Sequence, residues 1–436
     1  MTASNAVPEG PAPAASLVPG QIPPDVTGRV PGQLRTIFPE TLPGSDPALF
    51  LALRQAAHGA AALLPSATAL PPPVPAHGTS GGYRGLLRKA LSRARLDLEE
   101  TALLLSPGGM EEREALFAAA REARERAWGG RVFTYGFIYL STYCRNDCRF
   151  CAWRSSNGSE PRYRKTREEI LEASAALAGD GVSLVDLTTG EDPETDSPWY
   201  AAGLADLIRA VRAETGLPVM ISPGLVSGRA LRLFAEAGAL FYACYQETHC
   251  PELFARLRAG QDYGARWRAK LKARRAGLLV EEGVLCGVGE SARDLAESVM
   301  AMRALGAAQV RAMAFVPPAH DGPGPFLDDP AQDTAREREL LMIAAMRLAF
   351  PDALIPASLD VEGLAGLAPR LDSGANVVTS LVPAGLGLAG VAQGSLDIQN
   401  RGRSLASVLP VLSGLGLTHG TPAEYLKNAG RGLAGM

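Results

Sequence analysis

Eight short β-rich runs, separated by helical stretches, follow one another from residue 132 to residue 380. They read VFTYGFIYL, VSLVDLT, LPVMIS, LFYACYQE, LLVEEGVLC, QVRAMAF, LIPAS and NVVTS. Strands that alternate with helices form parallel sheets, and eight such units are typical of a (β/α)8 barrel. The pattern therefore predicts a TIM-type barrel. A doubly wound open sheet is the alternative, because periodicity does not show whether a sheet closes.

Capping signals mark where several of the helices begin. Thr166 and Glu169 have the spacing of a capping box, and Ser291 precedes another helical run. Thr421 is followed directly by Pro422, a pair that is typical of a helix N-cap and first helical position. These residues predict helix starts at 167, 292 and 422.

The periodicity ahead of the first strand is helical over residues 83–106 and 110–128, and the second stretch ends in Gly129 and Gly130, a helix-stop signal. Helical patterns return after residue 400. We therefore divide the chain into four parts: an extension of residues 1–80, N-terminal helices of residues 81–131, a barrel of residues 132–400, and C-terminal helices of residues 401–436 that are expected to pack outside the barrel.

Composition limits the class of protein. The extension is rich in Pro, Ala and Gly, which discourages regular structure, although residues 46–64 have an apolar helical pattern. The whole chain has 436 residues, 47% hydrophobic and 20% charged residues and a net charge of −3, which is typical of a folded globular protein and disfavours a nucleic-acid partner. Neither a secretory signal nor an apolar run of ~18 residues is present, so we expect no membrane contact and a cytoplasmic location.

Three of the six cysteines fall within eight positions directly after the first predicted strand. The spacing is Cys144-x3-Cys148-x2-Cys151. Thiolates bind zinc and iron–sulfur clusters, and a structural zinc site usually has four ligands. No Cys or His nearby supplies a fourth. A cubane cluster held by three thiolates would leave one iron open for a small molecule, and a structural zinc site is the alternative.

This cysteine motif resembles the signature of the radical SAM superfamily, in which an aromatic residue, here Phe150, usually precedes the third cysteine. The resemblance extends over about residues 82–400. The segments YGFIYLSTYCRNDCRFC, DLTTGEDP, YQETHCPELFARLRAGQDY, VRAMAFVP and PASLDVEGLAGL are similar to the methylornithine synthase family, lysine mutases that are related to biotin synthase. The resemblance implies a (β/α)8 barrel, a [4Fe–4S] cluster on the three cysteines, and S-adenosylmethionine as the second cofactor.

Five further residues match the family's cofactor-binding segments. Gly190 and Glu191 follow the second strand, where the resemblance implies contact with the amino group of S-adenosylmethionine. Arg266 matches an arginine that pairs with its carboxylate, a role that suits the planar guanidinium. Glu247 is expected to face the barrel mouth, and Gly287 resembles the strand end on the adenine side.

The resemblance also implies a substrate-binding set of Asp192, Arg311, Ser358 and Asp360. An amino acid with a side-chain amine needs a cation for its carboxylate and carboxylates for its amines. The alternative for Arg311 is a surface ion pair, and the alternative for Asp360 is a helix N-cap.

The reaction that the resemblance implies is a carbon-skeleton rearrangement of lysine. A 5′-deoxyadenosyl radical removes a hydrogen atom from Cγ, the Cα–Cβ bond breaks into a glycyl radical and an aminobutene, and the fragments rejoin at the internal alkene carbon. The product radical then takes the hydrogen atom back, which gives 3-methylornithine. The partners implied are an amino acid, most simply L-lysine, and an electron donor such as flavodoxin or ferredoxin.

Three alternatives compete with this hypothesis. Another amino acid is one possible substrate. Sulfur insertion, as in biotin synthase, would need a second cluster, but the position where biotin synthase carries a cluster cysteine is Glu281 here, and Cys244, Cys250 and Cys286 are interpreted as buried free thiols. A non-catalytic protein that binds iron–sulfur or zinc is the third. His320 receives no role.

Overall fold

The computed structural model describes residues 82–160, 162–196, 198–317, 332–383 and 402–434. Eight parallel strands form one sheet in the order β8-β7-β5-β4-β3-β1-β10-β9. Their bounds are β1 Arg131–Ser141, β3 Leu184–Thr189, β4 Val219–Ser222, β5 Ala239–Ala243, β7 Leu279–Cys286, β8 Gln309–Ala314, β9 Pro356–Ser358 and β10 Val377–Leu381. All eight predicted strands are present.

The two outer strands of this order meet and bring the sheet close to a full barrel. An isolated parallel bridge joins Gln309 to Leu354, just before β9. The Val310 amide donates to the Leu354 carbonyl at 3.0 Å, and the Leu354 amide donates to the Ala308 carbonyl at 3.2 Å. The prediction of a (β/α)8 barrel is confirmed, and the doubly wound alternative is wrong because both sheet edges are used in this contact.

Helices cover the outside of the barrel. They are α4 Arg167–Asp180, α5 Pro198–Thr215, α6 Gly228–Glu236, α7 Pro251–Leu257, α8 Tyr263–Arg275, α9 Ala292–Leu305, α10 Gln332–Ala349 and α11 Leu367–Asp372, with 3-10 turns at Pro193–Asp196 and Gly363–Gly366. The predicted capping box is present at Thr166, and Ser291 is an N-cap as predicted, where it also forms a capping box with Asp294. None of the helices in the described ranges is long and apolar enough to cross a membrane.

The described residues ahead of the barrel, 82–130, contain three helices, α1 Gly82–Leu91, α2 Leu98–Leu104 and α3 Met110–Trp128. The helical pattern over residues 83–106 corresponds to two helices rather than one. Arg93 adopts a left-handed conformation with φ 62°, and Asp97 begins α2 with its own capping box, so the chain turns between the two. Helix α3 ends at Gly129, which has φ 57°, as predicted.

The C-terminal segment closes the amino-terminal end of the barrel. Helices α12 Leu405–Gly414, α13 Pro422–Asn428 and α14 Arg431–Ala434 are present, and between them β11 Thr418–His419 pairs with β1. Tyr425 is fully buried, and its ring contacts those of Phe133 and Phe241 at 5.4 and 6.5 Å. Helix α13 therefore covers this end of the barrel, with the Tyr425 side chain buried against it. The predicted helix over residues 46–64 and His320 lie outside the described residues.

Candidate active site

The cysteine loop follows β1 at the carboxyl end of the barrel. Cys148 is buried, and Cys144 and Cys151 are half-buried. A short antiparallel ladder, β2 Asp147–Cys148 with β6 Arg258–Ala259, ties the loop to the segment after α7. The Arg149 amide also donates to the Leu257 carbonyl at 2.9 Å. The ladder fixes the middle of the loop, so the three thiols are held at one end of the barrel.

The thiols lie near one another in a poorly solvated place. Burial, together with the charge of the neighbouring Cys148, raises the pKa of Cys151 to about 12. Burial likewise raises the pKa of Cys144. In the described part of the chain, no three Cys, His, Asp or Glu side chains converge on one point as ligands of a single metal ion. A mononuclear zinc site needs such convergence, whereas a cubane presents a different iron to each thiolate.

The hydrogen-bond donors beside the loop, some of them without an acceptor, also fit a bound cluster. Arg258 Nη1 and Gln261 Nε2 donate to Cys148 Sγ at 3.3 and 3.0 Å. Arg258 Nε and Trp153 Nε1 are buried without an acceptor among the described residues. Buried donors without acceptors are costly, so acceptor atoms of a cofactor are expected there. The residues present fit a [4Fe–4S] cluster.

Phe150 packs over the guanidinium of Arg258, with 5.0 Å between the Arg258 Cζ and the ring centroid. The same ring contacts an apolar cluster formed by Leu257, Leu285 and Val288. Phe150 therefore separates the cysteine loop from the β7 strand end and covers the buried arginine.

Gly190 and Glu191 bring the end of β3 against the cysteine loop. A Cβ on Gly190 would overlap the Tyr143 carbonyl and lie 3.0 Å from Cys144 Cβ. Glu191 Oε1 accepts hydrogen bonds from Arg266 Nη1 and from the Leu225 amide, each at 2.8 Å. The missing side chain at residue 190 is what allows this approach.

Arg266 lies on α8 and is buried, with 4% of its surface exposed. It also donates to the Tyr245 carbonyl at 2.9 Å. Arg266 and Glu191 line a cavity of about 700 Å³, whose wall includes Arg145 and Asn146 of the cysteine loop. Arg274 of the same helix is also buried, with 2% of its surface exposed.

Glu247 occupies a strained turn after β5. Its φ is 68°, which is unusual for a residue with a side chain, and its backbone bridges to Val284 of β7. Glu247 Oε1 accepts from Arg258 Nη2 at 2.8 Å. Burial raises the pKa of Glu247, and the cations of Arg258 and Arg266 oppose that rise. The carboxylate thus fixes the arginine that contacts Cys148.

A buried polar network supports this turn from behind. Glu282 and Lys270 form an ion pair in which neither side chain is exposed. Glu282 Oε1 accepts from the Gln246 amide at 2.7 Å, and Lys270 Nζ donates to Gln246 Oε1 at 2.8 Å. The pair holds the residue that precedes Glu247. Sequence reasoning missed it, because Lys270 stands in a helix rich in basic residues.

Gly287 begins a tight turn after β7. Its φ is 85°, and a Cβ would lie 2.8 Å from Ala335 Cα of α10. The amides of Gly287 and Val288 donate to the two carboxylate oxygens of Glu290, each at 2.8 Å. Both the left-handed backbone and the close helix require glycine at this position.

Arg311 points into the middle of the barrel. Its Nε donates to Glu281 Oε1 at 2.8 Å, and its Nη2 donates to the Tyr135 hydroxyl. The rings of Tyr135 and Tyr245 lie 5.8 and 5.6 Å from the Arg311 Cζ. The alternative of an ordinary surface ion pair is wrong, because Arg311 is 6% exposed and Glu281 is fully buried.

Asp186 on β3 faces the same interior, and no motif in the sequence singled it out. Its two oxygens accept from Ser222 at 2.8 Å and from Thr188 at 2.9 Å. Burial raises the pKa of Asp186 to about 7, with Glu281 adding to the rise. The alternation of inward and outward side chains along a strand could have placed Asp186 inside.

Ser358 and Asp360 belong to a second polar group at the barrel mouth. Ser380 Oγ donates to Asp360 Oδ2 at 2.8 Å and lies 3.2 Å from Ser358 Oγ. Arg403, 1% exposed, donates to Asp360 Oδ1 at 2.7 Å. Ser380 has φ 68°, a second strained position. The N-cap alternative for Asp360 is wrong, because Glu362 precedes the 3-10 turn there.

Asp192 is completely buried beneath the cysteine loop. Its Oδ2 accepts from Ser141 at 2.6 Å and from Arg164 at 2.8 Å, and its Oδ1 accepts from Arg164 at 2.9 Å. Burial alone would raise the pKa of Asp192, but the hydrogen bonds from Arg164 and Ser141 outweigh it and lower the pKa. The carboxylate is charged and fixed, with these contacts inside the protein. Its contact with substrate stays a prediction.

Tyr139 on β1 is near both the cysteine loop and the second polar group. Burial raises the pKa of Tyr139, and the nearby Cys151 and Asp360 raise it further. Its ring lies 6.4 Å from that of Trp153. Sequence reasoning missed Tyr139, because an aromatic residue in a strand is ordinarily core.

The other three cysteines lie outside the cysteine loop. Cys244 and Cys286 are buried, as expected of free thiols. Cys250 is half-buried rather than buried, because it stands at the start of α7, where its thiol donates to Glu252 at 3.3 Å. They form no metal-binding group within the described residues.

Comparisons with known proteins agree with the geometry. Residues 138–301 match the model of the radical SAM superfamily. The 3-methylornithine synthase of Methanosarcina acetivorans is 39% identical over 341 residues, which cover 77% of this chain and 94% of that protein. The biotin synthase of Pelotomaculum thermopropionicum is 30% identical over 63% of this chain and 83% of that protein.

A solved structure extends the comparison to the fold. The crystal structure of a methylornithine synthase superposes with a TM-score of 0.71 at 40% identity, and the match covers 78% of this chain and 98% of that one. The chain belongs to the radical SAM superfamily and, within it, to the 3-methylornithine synthase family.

Proposed function

We propose that this chain is a radical SAM isomerase that converts L-lysine into 3-methylornithine. One observation carries the proposal: the three thiols, the buried Arg311–Glu281 pair and the Asp360–Arg403 pair belong to one barrel. A cluster site beside fixed charges of both signs suits a radical reaction on a small amino acid with two amines.

The cysteine loop would hold the [4Fe–4S] cluster through Cys144, Cys148 and Cys151. When bound, the cluster and S-adenosylmethionine supply a 5′-deoxyadenosyl radical that removes, and later returns, one hydrogen atom of the substrate. The chain itself contributes position. Glu191 and Arg266, which pair at 2.8 Å, carry the charges that complement an amino and a carboxylate group.

The proposed substrate site uses the polar groups of the barrel. The Arg311 guanidinium provides a cation for the substrate carboxylate, and Glu281 fixes its orientation at 2.8 Å. Asp360 provides a carboxylate for an amine, and Ser358 adds a hydroxyl beside it. Holding both ends of a substrate keeps two fragments in place for recombination, since oriented partners react far faster than free ones.

The barrel also isolates the reaction from water. Tyr425 fills its amino-terminal end, so the described part of the barrel opens toward the cysteine loop. Excluding water matters here, because a solvent-exposed radical finds other hydrogen donors.

The test is anaerobic incubation of the reconstituted, reduced full-length protein with S-adenosylmethionine and L-lysine deuterated at Cγ. Mass spectrometry should find methylornithine and deuterium in 5′-deoxyadenosine. Deoxyadenosine without deuterium and without product would keep the superfamily chemistry and reject lysine as the substrate.

The role of Asp360 can be tested with a matched control. Asp360 and Asp352 each have 19% of the side chain exposed and each pair with an arginine at 2.7 Å, but Arg93, the partner of Asp352, is 51% exposed, whereas Arg403 is 1% exposed. Asp360→Ala should abolish lysine turnover while Asp352→Ala retains it. Normal turnover by Asp360→Ala would refute the substrate role.

An external electron donor completes the proposal. The reaction needs one electron to start, and flavodoxin or ferredoxin is the expected source. The test of this partner is whether a purified flavodoxin system reduces the cluster. The reduction is monitored by absorbance under anaerobic conditions. The cytoplasmic location stays a prediction of the sequence.

A further inference from the structure

Cys148 differs from the other two thiols of the loop in its surroundings. Cys144 and Cys151 accept hydrogen bonds from backbone amides, those of Asn146 and Trp153 among them. Cys148 accepts instead from two side chains, Arg258 Nη1 at 3.3 Å and Gln261 Nε2 at 3.0 Å. One of these donors carries a full positive charge. The motif itself does not contain either residue.

The fold dictates this contact through strand register. In the β2–β6 ladder, Cys148 is the partner of Arg258. The guanidinium is then fixed on its other side by Glu247 Oε1 at 2.8 Å and by the Tyr245 carbonyl at 2.9 Å. Arg258 is 6% exposed, so water screens its charge poorly.

Gln261 is oriented by the same group of residues. Its Oε1 accepts from Arg258 Nη1 at 3.4 Å and from Arg266 Nη1 at 3.3 Å. With the oxygen directed to two arginines, the amide nitrogen is left to donate to Cys148 Sγ. Two fixed donors therefore act on one thiol.

We propose that Arg258 and Gln261 raise the reduction potential of the cluster through their hydrogen bonds to Cys148 Sγ. Reduction adds negative charge that spreads onto the sulfur ligands. Donors and a buried cation stabilise that charge more than they stabilise the oxidised state. The inference rests on the proposed function in one respect, that the three cysteines hold a [4Fe–4S] cluster.

The experiment is a redox titration of the reconstituted full-length protein, monitored by electron paramagnetic resonance without substrate or S-adenosylmethionine. Gln261→Met keeps side-chain length and neutrality but removes the donor. Arg258→Gln removes the charge. Arg268→Gln is the matched control, because Arg268 is an exposed arginine of α8 that pairs with Asp262.

At a fixed applied potential, the ratio of reduced to oxidised cluster should fall about tenfold in each test variant, which is 59 mV for one electron. The control should match the native protein. Arg258→Gln leaves Glu247 without its arginine partner, which can prevent folding. In that case the test still stands on Gln261→Met, which leaves this ion pair in place. Reduction potentials equal to the native value in the folded test variants would overturn the inference. Loss of the cluster from both variants would also overturn it, because the two residues would then serve to hold the loop.

The titration is independent of turnover. A protein that makes no methylornithine but shows the shift rejects the proposed substrate and keeps this inference. Normal product formation with unshifted reduction potentials in the variants keeps the proposed substrate and rejects this inference.

Discussion

Gly190 provides a sharp test of how closely the end of β3 must approach the cysteine loop. In Gly190→Ala, the new Cβ would lie 3.0 Å from Cys144 Cβ and 3.1 Å from the Tyr143 carbonyl carbon. Carbon contacts are most favourable at about 3.5–4.0 Å, so the loop or the strand end must move by about 0.5–1 Å. The Tyr143 atoms in the way are backbone and cannot rotate aside.

That displacement acts on Cys144, a proposed cluster ligand, and on the neighbouring Glu191. Misplacement of reacting groups by about 1 Å can cost about 100-fold in rate, which is about 2.7 kcal/mol. We therefore expect Gly190→Ala to form product about 10–100-fold more slowly, with reduced iron content after reconstitution. Gly158→Ala is the control, because a Cβ at that glycine of the same loop region meets nothing within 4 Å.

Rates of methylornithine formation and iron content would be measured on both variants prepared together. A Gly190→Ala protein with native iron content and a rate within about twofold of native would refute the steric argument. An equal loss in Gly158→Ala would show that the region is fragile for another reason.

Three further predictions concern buried charges. Lys270→Met leaves Glu282 buried and unpaired, so chemical denaturation should show the free energy of unfolding lowered by about 3–5 kcal/mol. Adding Glu282→Gln to Lys270→Met should restore most of that free energy. Equal losses in the single and the double variant would contradict the ion-pair argument. Burial raises the pKa of Asp186 in the folded protein to about 7, so the folded state binds a proton more tightly than the unfolded state, where the pKa is about 4. The contribution of this proton to the free energy of unfolding is fully present below about pH 4 and is lost as the pH rises through about 7. The free energy of unfolding of Asp186→Asn should therefore rise relative to that of the native protein between about pH 5 and pH 8. The expected rise is on the order of 3 kcal/mol, at about 1.4 kcal/mol per pKa unit. A difference between the two proteins that does not change with pH would reject this prediction. Arg311→Lys cannot reproduce both contacts of the guanidinium with Glu281 and Tyr135, so the KM for lysine in steady-state assays should rise about tenfold or more, and an unchanged KM would count against Arg311 as the carboxylate partner.

Much of the barrel could be predicted from local patterns. Each strand run alternates with a helical run, and residues such as Thr166 and Ser291 mark helix starts through bonds that span three positions. The break between α1 and α2 was missed, because the left-handed turn at Arg93 carries no glycine to signal it. The covering of the barrel end by Tyr425 was missed because that contact joins residues far apart in the chain.

The sequence by itself determined the order of strands and helices and the three-cysteine motif, because both are written in short-range spacing. Only the tertiary structure decided what surrounds them. The register of β2 against β6 brings Arg258 to Cys148, and the closed sheet turns Asp186, Glu281 and Arg311 toward one interior. Such contacts depend on how distant segments align in space, and no local pattern of residues specifies that alignment.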